Sequence, residues 1–209
     1  MSSSVQRPRV RKSPAARRAE IVDAAAAVAL AEGLECITLR RIGEELGVRP
    51  GLISHYFPSA EELVAEAFGS AASGELDTLL PEESPGATPT ERLAHFLTRT
   101  TGEPYDAISR LWINARHLSR YRPVLRDRVT TQQAAWRGRL EGVIREGVEL
   151  DEFRTPDPSL TTIQILVVLD GLGAHANTGT AEHTPAAVVR MAVATAEREL
   201  GLPEGALNA

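Results

Sequence analysis

Apolar residues recur along this chain at intervals of three and four, and alanine and leucine carry most of the repeats. Alternation of period two is absent, so the pattern predicts an all-α fold. Ile21, Ala24, Ala25 and Val28 form one such stripe, which Gly33 stops in a left-handed cap position while Leu34 and Ile37 cover its end. Four helix starts are spelled out by a capping side chain ahead of proline, at Ser13-Pro14, Thr88-Pro89, Asp157-Pro158 and Thr184-Pro185. Ser59 with Glu62 and Thr88 with Glu91 read as capping boxes. These marks predict about nine helices, near 14–32, 39–46, 50–57, 59–80, 88–101, 104–119, 123–149, 157–177 and 184–200.

The second and third of these helices are short and nearly contiguous. Thr38 can cap the first of the pair, Leu39, Ile42 and Leu46 face inward, Gly47 permits a sharp turn and Val48 plugs the corner. Pro50 then opens the next helix, to which Leu52, Ile53, Tyr56 and Phe57 lend apolar contacts. Two short helices joined by a tight glycine turn make a helix-turn-helix, whose second helix can enter a DNA major groove with its N-terminal residues leading. Arg49, Ser54 and His55 are then the exposed candidates, with Arg40 and Arg41 beside them on the preceding helix. Many helical proteins hold two short helices around a glycine, and it is the clustered arginines that favour double-stranded DNA as the partner.

Charge sharpens this picture. The net charge of -5 conceals a segment of eighteen residues at the start that holds Arg7, Arg9, Arg11, Lys12, Arg17 and Arg18 and no acid. Any polyanion is therefore expected to meet the N-terminal end, which reads as a disordered basic arm over residues 1–13. The Arg-rich start followed by alanines imitates a targeting signal, but Glu20 and Asp23 fall where such a signal would be apolar. No apolar stretch approaches the ~20 residues of a membrane span, because Gln164 interrupts and Asp170 closes the run from Ile163 to Leu169. With one cysteine, Cys36, a disulfide scaffold is excluded and a cytoplasmic protein without a membrane partner is expected. The histidines at 55, 95, 117, 175 and 183 keep no metal-ligand spacing, and no HExxH or phosphate-cradling glycine loop occurs. No cofactor, metal or catalytic residue is expected, and the chain does not read as an enzyme.

The stretch from Arg17 to Phe68 resembles the TetR family of bacterial transcriptional regulators. It combines the glycine that ends the first helix, Thr38 opening the second, Gly47-Val48, Gly51 and the run His55-Tyr56-Phe57 before the fourth helix. Further on, Leu111-Trp112, Arg139-Leu140 and Leu169-Asp170-Gly171-Leu172 look like the C-terminal domain of the betaine-responsive regulator subgroup. The resemblance implies that Thr38 and Arg40 meet the sugar-phosphate backbone, that Arg49, Pro50, Gly51 and Ser54 face the groove, and that His55 and Tyr56 contact phosphate. The sequence departs from the family pattern at Ala60, where a lysine usually begins the fourth helix and contacts phosphate. Arg49 and Pro50 also stand where a small hydroxyl residue commonly leads, so operator preference does not carry over from relatives.

The implied organisation is a helix-turn-helix domain at 14–58, a ligand-binding and dimerisation domain at 59–200, and a frayed tail at 201–209. The eighth helix is apolar around its circumference, and small residues on the ninth allow close approach. Family members pair through these last two helices, which nominates Ile165, Leu169, Leu172, Val189, Ala192, Val193 and Ala196 for a homodimer interface. Where relatives enclose a small-molecule effector, this chain offers Phe96, Tyr105, Ile108 and Leu111, together with Trp112, Asn114, His117 and Trp136. Asp170 and His175 join them as polar groups in an apolar run, a costly placement unless each is paired. Each of these residues, taken singly, is more often packing than a ligand contact. The function implied is a ligand-responsive repressor that binds a palindromic operator as a homodimer. The alternative, to which Ala60 lends weight, is a helical ligand- or partner-binding protein without DNA binding.

Overall fold

A computed structural model describes residues 12–100, 103–177 and 186–208. The chain opens with α1 (Pro14–Glu32), a 3-10 turn (Leu34–Cys36), α2 (Leu39–Glu45) and α3 (Pro50–Tyr56). The larger part follows as α4 (Ala60–Leu79), α5 (Pro89–Arg99), α6 (Glu103–Ser119), α7 (Pro123–Glu149), α8 (Pro158–Ala176), α9 (Ala186–Val189) and α10 (Met191–Glu199). No strand occurs among the described residues, as the periodicity predicts. The predicted ninth helix is broken at Arg190 into α9 and α10. The four residues of α9 bury nothing, so no packing holds that turn in register with the next helix. The Thr184-Pro185 start and the arginines at 7, 9 and 11 lie outside the described residues.

Local signals account for the helix ends. Ser13 Oγ accepts from the Ala16 N–H at 3.2 Å, Asp157 Oδ1 from Leu160 at 3.0 Å, and Thr88 and Glu91 complete a reciprocal capping box. At Ser59 the hydroxyl accepts from Glu62 at 3.2 Å. Gly33 departs from the expected left-handed cap: its φ of 102° is positive, but ψ is 161°, so the chain leaves α1 extended rather than curling back.

One hydrophobic core runs from Ile21 on α1 to Leu207 near the C-terminus. α4 belongs to both halves, packing on α1 at one side and on α7 at the other, while α8 rests against α6, α7 and α10. A chain of charges crosses the same boundary: Arg18 on α1 meets Glu66 on α4 at 3.3 Å, and Glu66 meets Arg128 on α7 at 2.7 Å. The Arg18 guanidinium also lies 4.8 Å from the Phe57 ring centroid. Gly69 makes room for this arrangement, since a Cβ there would stand 2.8 Å from Arg128 Cδ.

Two features of the structure differ from what the sequence predicts. α8 is long and apolar enough by composition to cross a membrane, against the reading that no stretch approaches that length; Gln164 and Asp170 lower its hydropathy too little to matter. The segment after Gly201 is not frayed. Glu197, almost fully buried, accepts from the Gly205 and Leu207 N–H groups at 2.9 and 3.1 Å, and Leu207 is completely buried. Charge-assisted bonds to two otherwise unpaired amides fasten the chain end to the core.

Candidate functional site

The helix-turn-helix is set by a close backbone crossing. A Cβ at Gly43 would lie 3.2 Å from Val48 O and 3.5 Å from Pro50 Cα, so only glycine lets α2 press onto the turn. Val48 N–H donates to Gly43 O at 2.8 Å, and Gly47 takes the left-handed φ of 62° that the turn demands. Thr38 Oγ1 caps α2 by accepting from Arg41 N–H at 3.0 Å. With Ile42, Ile53 and Phe57 buried on the inner faces, α3 is fixed across α2.

The opposite face is open. Thr38, Arg40, Arg49, Pro50, Gly51, Ser54 and His55 are all exposed, and Tyr56 is half-buried with its ring edge-on to His55 at 5.2 Å. Arg49 stands at the N-cap of α3 and makes neither a capping bond nor an ion pair among the described residues. Arg40 pairs with Glu44, four residues on, at 2.8 Å, and its side chain stays largely in solvent. Arg41 is committed elsewhere: it bonds Glu45 at 2.6 Å and Glu32 at 2.7 Å, and these carboxylates raise its pKa further. Ser54 Oγ donates to Pro50 O at 3.2 Å. Around Ala60 the first turn of α4 carries Glu61 and Glu62.

The second constellation surrounds a cavity of about 200 Å³ among α5, α6, α7 and α8. Of the predicted ligand residues, Phe96, Tyr105, Trp112, Trp136 and Asp170 line it. Five do not. Leu111 is core, Ile108 packs against the core, His117 stacks edge-on with exposed Tyr121, and His175 is exposed near the end of α8. Asn114 serves the domain boundary instead: its Oδ1 accepts from Leu34 N–H at 2.9 Å, and its Nδ2 donates to Glu35 at 2.8 Å. Helix periodicity explains the misplacement, because 105, 112 and 116 share one face of α6 whereas 111 and 114 point away from it.

Sequence reasoning missed Ser109, Arg116, Gln133 and Arg137 at the cavity, and Glu75 behind it. Glu75 Oε2 accepts from Trp112 Nε1–H at 3.0 Å. Burial pushes the Glu75 carboxyl up to about 7; the Trp112 bond opposes this and the charge of Asp170 adds to it. The Tyr105 hydroxyl is likewise raised, chiefly by burial and then by Glu75. Glu75 Oε1 and Trp136 Nε1 are both buried without a hydrogen-bond partner among the described residues. Phe68 holds Trp112 edge-on at 5.0 Å. Gly173 permits α8 to approach α6, since a Cβ there would fall 2.3 Å from Ser109 Oγ. That approach brings Asp170 to Arg116, a pairing that the i, i+4 spacing of Trp112 and Arg116 alone could not reveal.

The residues nominated for pairing are largely used within the chain. Ile165, Leu169, Ala192 and Ala196 are buried, Leu172 and Val193 are half-buried, and only Val189 is exposed. α8 rests against three neighbours, and that packing takes up one side of its apolar circumference. Leu160, Val167, Val189 and Met191 are the large apolar side chains left in solvent on α8, α9 and α10.

Comparison with known proteins matches residues 21–67 to the bacterial regulatory proteins of the tetR family, and residues 89–201 to the C-terminal part of BetI-type transcriptional repressors. The chain is 34% identical over 90 residues to the HTH-type transcriptional regulator BetI of Rhizobium meliloti (strain 1021). That match spans 43% of this chain and 44% of the relative, less than half of either. Among solved structures, a regulator of Rhodococcus sp. assigned to the TetR family superposes with a TM-score of 0.74 at 21% identity, covering 88% of this chain and 98% of its own. A transcriptional regulator from Saccharomonospora viridis, solved in complex with choline, gives a TM-score of 0.74 at 22% identity over 88% of this chain and 97% of that one.

Proposed function

The chain belongs to the TetR family with a BetI-type C-terminal part, and from that premise we propose a DNA-binding repressor that releases its operator when an organic cation enters the cavity. The observation that carries this reading is the Arg49 guanidinium at the leading end of α3, which has no partner among the described residues, with Pro50 and Gly51 exposed beside it. An unpaired arginine there can grip the O6 and N7 edge of guanine with two hydrogen bonds. Thr38, Arg40, His55 and Tyr56 surround it with the donors that fix register on phosphates, and Ser54 faces the groove between them. Arg41, tied to Glu32 and Glu45, positions α2 against α1. A two-fold pair of chains would present two α3 helices to a palindrome, with half-sites about 34 Å apart. Leu160, Val167, Val189 and Met191 are the apolar groups available for that pairing.

Four aromatic rings, Phe96, Tyr105, Trp112 and Trp136, with Asp170 at the rim, make a wall suited to a cation with apolar substituents. The buried Trp136 N–H offers a hydrogen bond to an oxygen on the same ligand. Choline, the ligand of the Saccharomonospora viridis neighbour, has both features and is the first compound to test. Ligand entry and DNA release are linked through α4 and α6, which contact α1 from the cavity side. A coupling of ~1–3 kcal/mol between the sites is enough to empty an operator.

The test is a gel shift with DNA flanking the encoding gene while choline is titrated. The expected result is a shifted palindromic fragment that choline sets free. No shift with any flanking fragment would overturn the DNA reading; choline that binds without altering operator affinity would overturn the release.

A further inference from the structure

The cavity wall already contains a cation of its own. The Arg116 guanidinium carbon lies 5.4 Å from the Trp112 ring centroid, within the range of a cation–π contact. Its Nη2 donates to both Asp170 oxygens, at 2.8 and 2.7 Å. Trp112, Arg116 and Asp170 all line the cavity. Any incoming cation that sought the Trp112 face and the Asp170 carboxylate would therefore find both engaged.

Arg116 holds these contacts through a long side chain with several rotatable bonds. It can leave by moving. The ion pair is partly in solvent, with 34% of the Arg116 side chain and 48% of that of Asp170 exposed. Pairs of this kind contribute little, so the exchange of one cation for another costs little. Two other charged groups lie close by: Arg137, exposed, also lines the cavity, and Glu75 approaches Trp112 at its N–H edge.

We propose that Arg116 is a resident cation, which a ligand cation must displace from Trp112 and Asp170, so that this arginine sets the threshold for effector binding. The proposal rests on the reading of the cavity as an organic-cation site. Arg116 here acts as an internal competitor. An arginine that instead braced the cavity walls would have the opposite effect when removed, and this difference in sign makes the two roles separable.

Both tryptophans of the chain, Trp112 and Trp136, face the cavity, so their intrinsic fluorescence reports occupancy. Full-length wild type, Arg116→Ala and Asp170→Asn are titrated with tetramethylammonium chloride against matched sodium chloride. Arg116→Ala should bind about fivefold more tightly, the factor that corresponds to the upper worth of an exposed ion pair. Asp170→Asn should bind at least about fivefold more weakly. Arg116→Met keeps the apolar stem and replaces the alanine variant if that one melts early. Binding by wild type that both Arg116 variants weaken or leave unchanged overturns the resident-cation role alone. No fluorescence response in wild type or any variant overturns the organic-cation site, and the proposal falls with it.

Discussion

The DNA-reading unit and the sensor cavity handle their polar groups in opposite ways. On α2 and α3 the bonded groups find their partners within nine residues in sequence, and Arg49 is left open, without a partner among the described residues. In the cavity the bonds that are made come from distant parts of the chain, while Trp136 Nε1 has no partner among the described residues. Trp112 reaches Glu75, thirty-seven positions away, and Arg116 reaches Asp170, fifty-four away. A surface meant to meet phosphates and base edges gains from unpaired donors, since water satisfies them until DNA arrives. A half-enclosed site favours pairing its ions, since each loses part of its hydration there. It therefore starts out occupied by its own side chains, and a ligand works by substitution.

The largest test of this contrast is Arg49→Ala. Loss of an arginine–guanine pair costs about 1–3 kcal/mol per half-site, hence about 2–6 kcal/mol for a two-fold complex, measured as operator affinity by gel shift. Its thermal melt should stay within about 0.5 kcal/mol of wild type, because an exposed, unpartnered side chain supports nothing. A variant that melts early while still reading its operator would contradict the division of labour.

Glu75 gives the next largest effect, this time on stability. Folded Glu75 holds its proton up to about pH 7, whereas the unfolded group releases it near 4.5. Between those values the folded state binds more protons, so the stability contribution is whole below pH 4.5, falls as the pH rises, and is flat above 7. Glu75→Gln retains an acceptor for Trp112 and should abolish this slope, gaining on the order of 3 kcal/mol over wild type at pH 8. Urea melts at pH 5 and pH 8 decide it; parallel behaviour of variant and wild type would refute the buried-acid account.

The smallest of the three effects belongs to Asn114→Ala, which removes the acceptor for the buried Leu34 amide. About 1–2 kcal/mol of stability should be lost. Because Asn114 lies on α6 between Trp112 and Arg116, the variant should also change how strongly effector and operator influence each other. Unaltered coupling in paired titrations would confine Asn114 to a structural role.

How much of this was legible in the sequence follows from range. Helix starts at Ser13, Thr38, Thr88 and Asp157, the turn at Gly47 and the exposed arginines depend on contacts within a few residues, and they can be read from spacing alone. Gly43 was overlooked because its need arises only when α2 meets Val48 and Pro50 in space. The aromatic half of the cavity was visible as residue type, but Arg116 and Glu75 were not, since a lone charge on a helix resembles any solvated one. Asn114 hides its partners for the same reason, since Leu34 and Glu35 lie eighty and seventy-nine positions away. Ile165 and Ala196 look like contact residues by composition, and only the packing of α8 against three helices shows that they are already covered.

The Arg18–Glu66–Arg128 chain carries one more consequence. Dissolved ions weaken partly exposed pairs of this kind as well as the attraction between arginines and phosphates. Raising ionic strength will thus loosen the mounting of the reading head at the same time as it screens the duplex. The slope of affinity against salt should then exceed the ~0.9 per phosphate contact that counterion release alone gives, by whatever share the loosened charge chain adds.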